Sequence, residues 1–203
     1  FPALKIRQLS NPLPPVKGFS DAEIRALTAF RPRTAAQKQT WTLMLTLLDC
    51  GARIDELLTL RVENADFDNL LLTLHGKGSK IRRVPFSLEG RKLLFRHARR
   101  PKTTAQERSE FFFCTSSGLP LRYRNVYRDI KALCAAAGVV GPHVHPHAFR
   151  HAFAVNFIRQ GGDIYRLARL LGHASINTTQ LYIRSMTVEQ VAEAHRSPLS
   201  RVG

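Results

Sequence analysis

Hydrophobic positions at helical spacing divide much of the chain into short amphipathic helices. Ser20 and Glu23 form a capping box, which predicts that a helix begins there and ends near residue 30. A second, more apolar helix is expected over WTLMLTLLDC, ending at Gly51, and RIDELLTLR then resumes the helical period. Arg53 therefore lies at the junction of two helices.

Helical periodicity continues in the second half of the chain. Helices are expected over about residues 88–99 and 124–137, then over PHAFRHAFAVNFIRQ and DIYRLARLL, and one more carries Tyr182. The glycines that end three of these helices are Gly138, Gly161 and Gly172. A second capping box, TVEQ, predicts a last helix from Thr187.

Strand patterns are confined to the middle of the chain. Residues 70–86, LLLTLHGKGSKIRRVPF, contain two β-prone runs joined by a glycine-containing turn, which predicts a hairpin with Lys77 at or beside its tip. The run FFFCT predicts a short strand before a turn at Gly118. Residues 1–19 contain four prolines and no sustained periodicity, as expected for a linker. The whole pattern predicts a mainly α (α+β) domain, residues 20–184, with a small antiparallel β-sheet.

Charge is the feature in which the composition departs from that of an ordinary globular protein. The chain has 31 Lys and Arg residues against 15 Asp and Glu residues, a formal net charge of +16. A polyanion is the expected partner, and nucleic acid is the first candidate. The three cysteines form no C-x-x-C pair, which favours reduced core thiols in a cytoplasmic protein. No apolar run reaches the length of a membrane span, and the start at Phe1 rather than Met suggests that an N-terminal part is absent.

Several residues could take part in chemistry, but each also has an ordinary structural interpretation. Arg53 is three residues before Glu56, so the two could form an exposed helical ion pair. Lys77 could be a solvated hairpin lysine, Arg150 a surface residue of a helix, and Tyr182 a core tyrosine with its hydroxyl at the surface. These interpretations weaken only if the residues belong to one set.

The histidines of HVHPHAFRH invite a metal site, which the surrounding sequence does not favour. Pro146 predicts a helix start that breaks the strand-like alternation, and no cysteine or acidic residue joins the cluster, so we expect no metal and no other cofactor. His147 and Arg150, by contrast, have i, i+3 spacing and would share a helix face. An imidazole beside a guanidinium suits a phosphodiester, since the guanidinium can bind the non-bridging oxygens and the imidazole can transfer a proton.

Five motifs occur in an order and spacing that resemble a known family. They are GARIDELLTL, HGKGSKIRRVPF, FFFCTSSGLPL, HPHAFRHAFAVNFIRQGG and LLGHASINTTQLYIR. Together they resemble the catalytic domain of the tyrosine recombinases, the phage integrase family, over about residues 20 to 195. The most specific elements are H-x-x-R and an L-G-H followed by a tyrosine nine residues after the histidine. The resemblance implies the helical fold of that domain and site-specific DNA recombination.

The resemblance also implies an active site. Its six residues are Arg53, Lys77, His147, Arg150, His173 and Tyr182. Tyr182 would attack the phosphodiester and form a 3′-phosphotyrosyl intermediate, while the two arginines neutralise charge on the phosphorus. His147 would take or relay the tyrosine proton, Lys77 would protonate the departing 5′ oxygen, and His173 would hydrogen-bond the phosphate.

Other residues near these motifs are expected to assist. Glu56 would brace the site beside Arg53, and His151 is expected to be structural rather than catalytic. Lys80 is a second lysine of the hairpin, but Lys77 matches the family better because it lies between the two glycines of GKG. Further cations are expected to contact DNA phosphates, so that binding weakens steeply with salt. They are Lys80, Arg82, Arg83, Arg122, Arg124, Arg128 and Lys131.

The resemblance implies double-stranded DNA as the partner and a tetramer of protomers on two DNA sites, near the nucleoid of a prokaryote, with neither metal nor ATP. Residues 185–203 look like the family's C-terminal segment, which docks on a neighbouring protomer, although packing within the same protomer is the alternative. An N-terminal core-binding domain would precede the linker. The resemblance implies a recombinase of the integrase or transposase type, and it does not distinguish integration, excision, transposition and dimer resolution as the biological task. Two other readings stay open: a type IB topoisomerase-like enzyme that relaxes DNA, and a non-catalytic DNA-binding regulator of the same fold.

Overall fold

The structure, a computed structural model, describes residues 18–76, 78, 81–173 and 175–184, of which residues 181–184 are described by backbone alone. Its α-helices are α1 (Asp21–Ala29), α2 (Ala35–Cys50), α3 (Ile54–Leu58), α4 (Leu88–Ala98), α5 (Thr104–Glu107), α6 (Tyr123–Ala136), α7 (Pro146–Arg159), α8 (Ile164–Leu171) and α9 (Ile176–Arg184). Its strands are β1 (Ala65–Asp66), β2 (Leu71–His75) and β3 (Ile81–Pro85). Residues 1–17 of the predicted linker, the predicted helix from Thr187, Lys77 and Lys80 lie outside the described residues.

Helix α2 is the centre of the main core and packs against α4, α6 and α7. Its side chains Leu43, Met44 and Leu47 are fully buried, and Phe149 of α7 is buried against the same core. Burial of such side chains supplies most of the free energy that holds helices together. The helix ends at Gly51, whose φ of 62° is the left-handed conformation that a glycine adopts readily. The chain can therefore reverse there and present Arg53 beside the core.

Capping residues explain where the helices begin, including two starts that the hydrophobic pattern did not predict. Ser20 and Glu23 form the predicted capping box of α1. Helix α2 begins at Ala35, earlier than expected, because Thr34 and Gln37 form a further capping box. Helix α5 begins in the same way after Thr103. In both cases polar side chains satisfy backbone N–H groups at the start of the helix.

The predicted hairpin is part of a three-stranded antiparallel sheet in the order β1-β2-β3. Leu72 of β2 pairs with Val84 of β3, and both are fully buried, so one face of the hairpin joins the main core. Leu74 pairs with Arg82 on the same face, because side chains two residues apart on a strand point the same way. The prediction of a mainly helical fold with a small antiparallel sheet is confirmed.

The predicted strand FFFCT is wrong. This segment forms only isolated bridges, Arg61 with Phe111 and Cys114 with Pro120. Phe112 and Phe113 are consecutive and both buried, and their rings pack edge to face with centroids 5.1 Å apart. A regular strand would send neighbouring side chains to opposite faces, so burying both rings on one core requires a bent backbone.

A smaller apolar cluster holds α8 against α7. Ala154 of α7 packs with Leu167 and Leu171 of α8, and all three are fully buried. Helix α8 ends at Gly172, whose φ is 65°. This cluster fixes the position of the turn that carries His173. Within the described residues, none of the helices combines the length and the apolar character that crossing a membrane would require.

Candidate active site

Arg53 and Glu56 are joined at the start of α3. The backbone N–H of Arg53 donates to Glu56 Oε2 at 2.7 Å, and Arg53 Nη1 donates to Oε1 at 3.0 Å. The Glu56 side chain is only 3% exposed, whereas that of Arg53 is 44% exposed. Burial alone would raise the pKa of Glu56, but hydrogen bonds from Arg82 and from the Arg53 backbone, with both guanidinium charges, lower it overall. A buried, charged carboxylate thus fixes an arginine that still reaches solvent.

Arg150 joins the ends of two helices from its position on α7. Its Nη1 donates to the carbonyl of Gly51 at 2.8 Å and its Nη2 donates to that of Leu171 at 2.6 Å. The residue is 3% exposed, so it is not the surface arginine that its helical context alone would allow. Helix α7 begins at Pro146, as predicted, with His145 as its N-cap. Arg150 is therefore held between the turns that carry Arg53 and His173.

His173 contacts Arg150 through one ring nitrogen and Thr179 through the other. Arg150 Nη2 lies 3.0 Å from His173 Nε2, and His173 Nδ1 lies 2.8 Å from Thr179 Oγ1. A guanidinium can only donate, so Nε2 accepts and the proton of the neutral ring is on Nδ1, which donates to Thr179. Desolvation, and then the charges of Arg150, Arg53 and other cations, lower the pKa of His173 to about 4. His173 is neutral at physiological pH.

The last turn of α8 gathers three arginines from different elements. Three consecutive carbonyls each accept a hydrogen bond from a different guanidinium. The pairs are Leu170 with Arg82, Leu171 with Arg150 and Gly172 with Arg53. The last carbonyls of a helix have no partner within it and lie at the negative end of the helix dipole, so cations are stabilised there. This end of α8 therefore organises the cationic part of the site.

His147 lies near the N-terminus of α7, at an exposed position. Its ring is parallel to that of His145, with an angle of 9° and centroids 6.4 Å apart. Neighbouring protein atoms partly desolvate the imidazole, and the charges of Arg150, His145 and Arg53 add to this, so the pKa of His147 is lowered. The neutral ring that results can accept a proton.

The remaining histidines of the cluster contact different parts of the structure. His143 pairs with Glu23 of α1 at 2.9 Å, and His145 caps α7 by accepting the N–H of Ala148 at 3.2 Å. His151 is buried and lies against Gly18, and the structural role expected for it stays a prediction. In the described part of the chain, no three His, Cys, Asp or Glu side chains form a group that could hold a metal ion.

Tyr182 lies in α9, which packs against α7 and α8. Its side chain is outside what the structure describes, as are Lys77 and the turn around it. Thr179 of the same helix is one turn before Tyr182 and is fully buried, so the helix that carries the tyrosine is attached to His173. Thr179 was not predicted from the sequence, which does not distinguish it from the exposed Thr178.

The predicted DNA contacts that the structure describes, which leave out Lys80, divide into two groups. Arg83 is 62% exposed, with only a 4.0 Å ion pair to Asp66. The cations of α6 and its N-cap are also exposed; they are Arg122, Arg124, Arg128 and Lys131. Arg82 differs, since its side chain is 14% exposed and its guanidinium is bonded to Glu56 at 2.6 Å. Strand alternation with the buried Val84 is the sequence signal for this inward position.

Comparison with known proteins places this chain in a family. The model of the phage integrase family matches residues 18–188. The chain belongs to the phage integrase family. Among curated relatives, the tyrosine recombinase XerC of Lacticaseibacillus casei is 31% identical over 189 residues, which cover 90% of this chain and 62% of that protein. The tyrosine recombinase XerD of Brucella suis is 38% identical over 142 residues, covering 69% of this chain and 46% of that protein.

Solved structures of family members share the fold. The XerA recombinase superposes with a TM-score of 0.75 at 25% identity, over 90% of this chain and 65% of that one. The XerH site-specific recombinase bound to its difH substrate in a post-cleavage complex gives a TM-score of 0.69 at 21% identity, over 84% of this chain and 50% of that one. The chain thus spans less than two thirds of the length of each of these relatives.

Proposed function

We propose that the chain is the catalytic domain of a site-specific DNA recombinase that cleaves and rejoins strands through a 3′-phosphotyrosyl bond to Tyr182. The observation that carries the proposal is the convergence of Arg53, Arg150 and His173 on the end of α8, with Tyr182 nine residues after His173 in α9. Family membership and the complete set of six motif residues support the same reaction.

In the proposed cleavage, Arg53 and Arg150 bind the non-bridging oxygens of the scissile phosphate and neutralise the charge that develops on them. Tyr182 attacks phosphorus, a P–O bond to tyrosine forms, and the bond from phosphorus to the 5′ oxygen breaks. His147 takes or relays the phenol proton and Lys77 protonates the departing oxygen. Because a tyrosine has a pKa of about 10, the nearby cations are needed to lower the energy of the phenolate.

Rejoining reverses these steps with the 5′ hydroxyl of another strand as the nucleophile. The phosphotyrosyl bond retains the free energy of the phosphodiester it replaced, so no ATP is consumed. We assign no metal or other cofactor to the reaction, since the arginines supply the positive charge.

The proposed role of His173 requires a change from the conformation described above. Its Nε2 accepts a hydrogen bond from Arg150, so it cannot at the same time donate to a phosphate oxygen. When phosphate binds Arg150, the ring can take a second proton or move its proton to Nε2, and the donation then becomes possible. The negative charge of the phosphate favours such protonation because it offsets the cations that lower the pKa of His173.

Exchange between two duplexes defines the proposed assembly. The partners are double-stranded DNA and three further protomers, with four protomers on two sites and residues 185–203 docking on a neighbour. The exposed cations of α6 and Arg83 contact the DNA phosphates. The proposed place of action is the nucleoid of a prokaryotic cytoplasm, in keeping with the bacterial relatives.

A nicked suicide duplex tests the reaction, because loss of a short strand traps the covalent intermediate. The full protein, as its gene encodes it, should form a protein–DNA band that resists denaturant, and Tyr182→Phe should abolish it. The sequence of this duplex would come from DNA that is trapped on Tyr182 in cells and then sequenced. If the wild type forms no covalent band, the proposed enzymatic activity is refuted, and a DNA-binding regulator of the same fold is the interpretation that remains. Plasmid relaxation without strand exchange would instead indicate a topoisomerase-like enzyme.

A further inference from the structure

We infer that Arg82 is a positioning residue for the proposed cleavage. It joins strand β3, which follows the hairpin tip, to Glu56, the carboxylate that orients Arg53. The inference rests on the proposed function, since it assigns a role within that reaction. It also replaces the DNA contact that the charge pattern alone predicts for Arg82.

Three hydrogen bonds attach Arg82 to two elements outside its own strand. Nη2 donates to Glu56 Oε2 at 2.6 Å and Nε donates to Oε1 at 3.3 Å, which is a two-point contact with one carboxylate. Nη1 donates to the carbonyl of Leu170 in α8. The planar guanidinium matches this arrangement because its donors point in fixed, divergent directions, whereas the ammonium of a lysine offers a single centre.

Glu56 receives hydrogen bonds from two arginines at once. Arg53 contributes its backbone N–H and Nη1, and Arg82 contributes Nε and Nη2, so each carboxylate oxygen accepts one bond from each residue. A carboxylate that is 3% exposed is stable as an anion only with such partners. Removing Arg82 leaves Glu56 with the half-exposed Arg53 alone, so its pKa rises and its hold on the Arg53 guanidinium loosens.

Arg82 also lies against the turn that carries His173. A Cβ atom added at Gly172 would be 2.8 Å from Arg82 Cδ, so the glycine permits this close approach. Through Leu170 and Gly172, Arg82 therefore supports the same end of α8 that binds Arg53 and Arg150. Arg82 thus contacts the supports of both arginines, the Glu56 carboxylate and the end of α8.

The neighbouring Arg83 is a matched comparison. Both residues carry the same charge on β3, but successive side chains of a strand point to opposite faces. Arg83 is 62% exposed and Arg82 is 14% exposed. Methionine at either position removes the charge while keeping a similar unbranched side chain, so differences between the two variants report the direction of the guanidinium.

The test measures covalent-complex formation in a single turnover on the nicked duplex, over a range of protein and salt concentrations. Arg82→Met should lower the rate at saturating protein by roughly 10- to 100-fold, as expected when a catalytic group is misplaced, with little change in the half-saturating concentration or its salt dependence. Arg82→Lys should recover only part of the rate. Arg83→Met should raise the half-saturating concentration and reduce the salt slope by about 1, a defect that more protein overcomes.

The opposite pattern overturns the inference. If Arg82→Met weakens binding like Arg83→Met and reaches the wild-type rate at saturation, Arg82 is a DNA contact; if it matches the wild type throughout, it has no role. A thermal-unfolding cycle with Arg82→Lys and Glu56→Gln tests the pair without catalysis, since contacting residues give non-additive losses. Strict additivity would refute the contact. A wild type that forms no covalent complex would refute the proposed function and with it the positioning role, whereas the unfolding cycle would still show whether Arg82 and Glu56 interact.

Discussion

At the scale of single residues, Thr179 is the side chain that links His173 to the helix of the proposed nucleophile. Its hydroxyl oxygen accepts the Nδ1 proton of His173 at 2.8 Å, and the residue is fully buried. Thr179→Val keeps the shape but removes the acceptor, which leaves a desolvated N–H unpaired at a cost of about 1–3 kcal/mol and frees the ring to turn. We expect roughly a 10-fold or greater loss of cleavage rate on the suicide duplex.

Thr179→Ser is the control, because it retains the hydroxyl. It should keep most of the wild-type rate, and thermal unfolding of both variants shows how much loss of stability accompanies the loss of rate in each. Equal cleavage by the valine and serine variants would show that the hydrogen bond does not position His173. The pH dependence of the cleavage rate in the two variants is a further readout. A change of packing alone would not alter it, whereas loss of the hydrogen bond that holds the proton on Nδ1 would.

Much of the candidate site follows from the sequence at this scale, and the exceptions have physical causes. Arg53, Arg150 and His173 could be named because their motifs resemble those of the family, and the structure brings them together. Arg82 and Thr179 could not be assigned in the same way. Charge suggested a DNA contact for Arg82, although the strand period already placed it on the face of Val84. Only the docking of α9 distinguishes Thr179 from Thr178.

At the scale of elements, the turn after α2 fixes both the course of the chain and an anchor for Arg150. Gly51 has a φ of 62°, and an added Cβ would lie 2.2 Å from Phe153 Cδ1. Gly51→Ala should therefore combine about 1–2 kcal/mol of left-handed strain with about 1–3 kcal/mol of overpacking. Because the carbonyl of Gly51 accepts from Arg150, cleavage should fall together with stability.

Gly138→Ala separates the backbone strain from the overpacking against Phe153. Gly138 also has a positive φ, 78°, but an added Cβ would have nothing within 4 Å. It should lose only the strain of about 1–2 kcal/mol. Denaturant unfolding of both variants measures the difference. An equal loss of stability in the two would mean that Phe153 moves aside without cost, and that overpacking contributes nothing at Gly51.

Element boundaries were predictable where a local signal decided them. Glycines marked the ends of α2 and α8, and the Ser20 box marked the start of α1. The start of α2 was missed because Thr34 and Gln37 act before the apolar run begins. The strand at FFFCT was wrong because burial of both Phe112 and Phe113 overrides strand propensity, and such a tertiary effect cannot be read from a short apolar run.

At the scale of the whole molecule, a strongly basic charge balance is combined with several histidines that folding keeps neutral. Burial, followed by nearby positive charge, lowers the pKa of His97 to about 3, and burial together with nearby histidines lowers that of His151 to about 4. The pKa of His173, at about 4, and those of His145 and His147 are also lowered. A common direction across these groups gives the fold a predictable response to acid.

The direction of that response follows from proton binding. An unfolded histidine has a pKa of about 6.5. Between pH 6.5 and pH 4 these histidines therefore bind protons in the unfolded chain but stay neutral in the native protein. Stability is therefore complete above about pH 6.5 and is lost as the pH falls toward 4. Carboxyl groups with a lowered pKa, such as Glu56 and Asp21, begin to reduce the free energy of unfolding only below about pH 4.5.

Thermal unfolding at pH 7, 6 and 5 checks this prediction. His97 and His151 are each 4% exposed, and each should cost roughly 1–2 kcal/mol between pH 7 and pH 5, which for a chain of this size corresponds to about 2–4 °C per kcal/mol. His97 packs against Phe112 and Phe113, and within the described residues its Nε2 has no hydrogen-bond partner. His97→Phe should therefore flatten the acid slope. An unfolding temperature that stays constant from pH 7 to pH 5 in the wild type would contradict the neutral state of these buried rings.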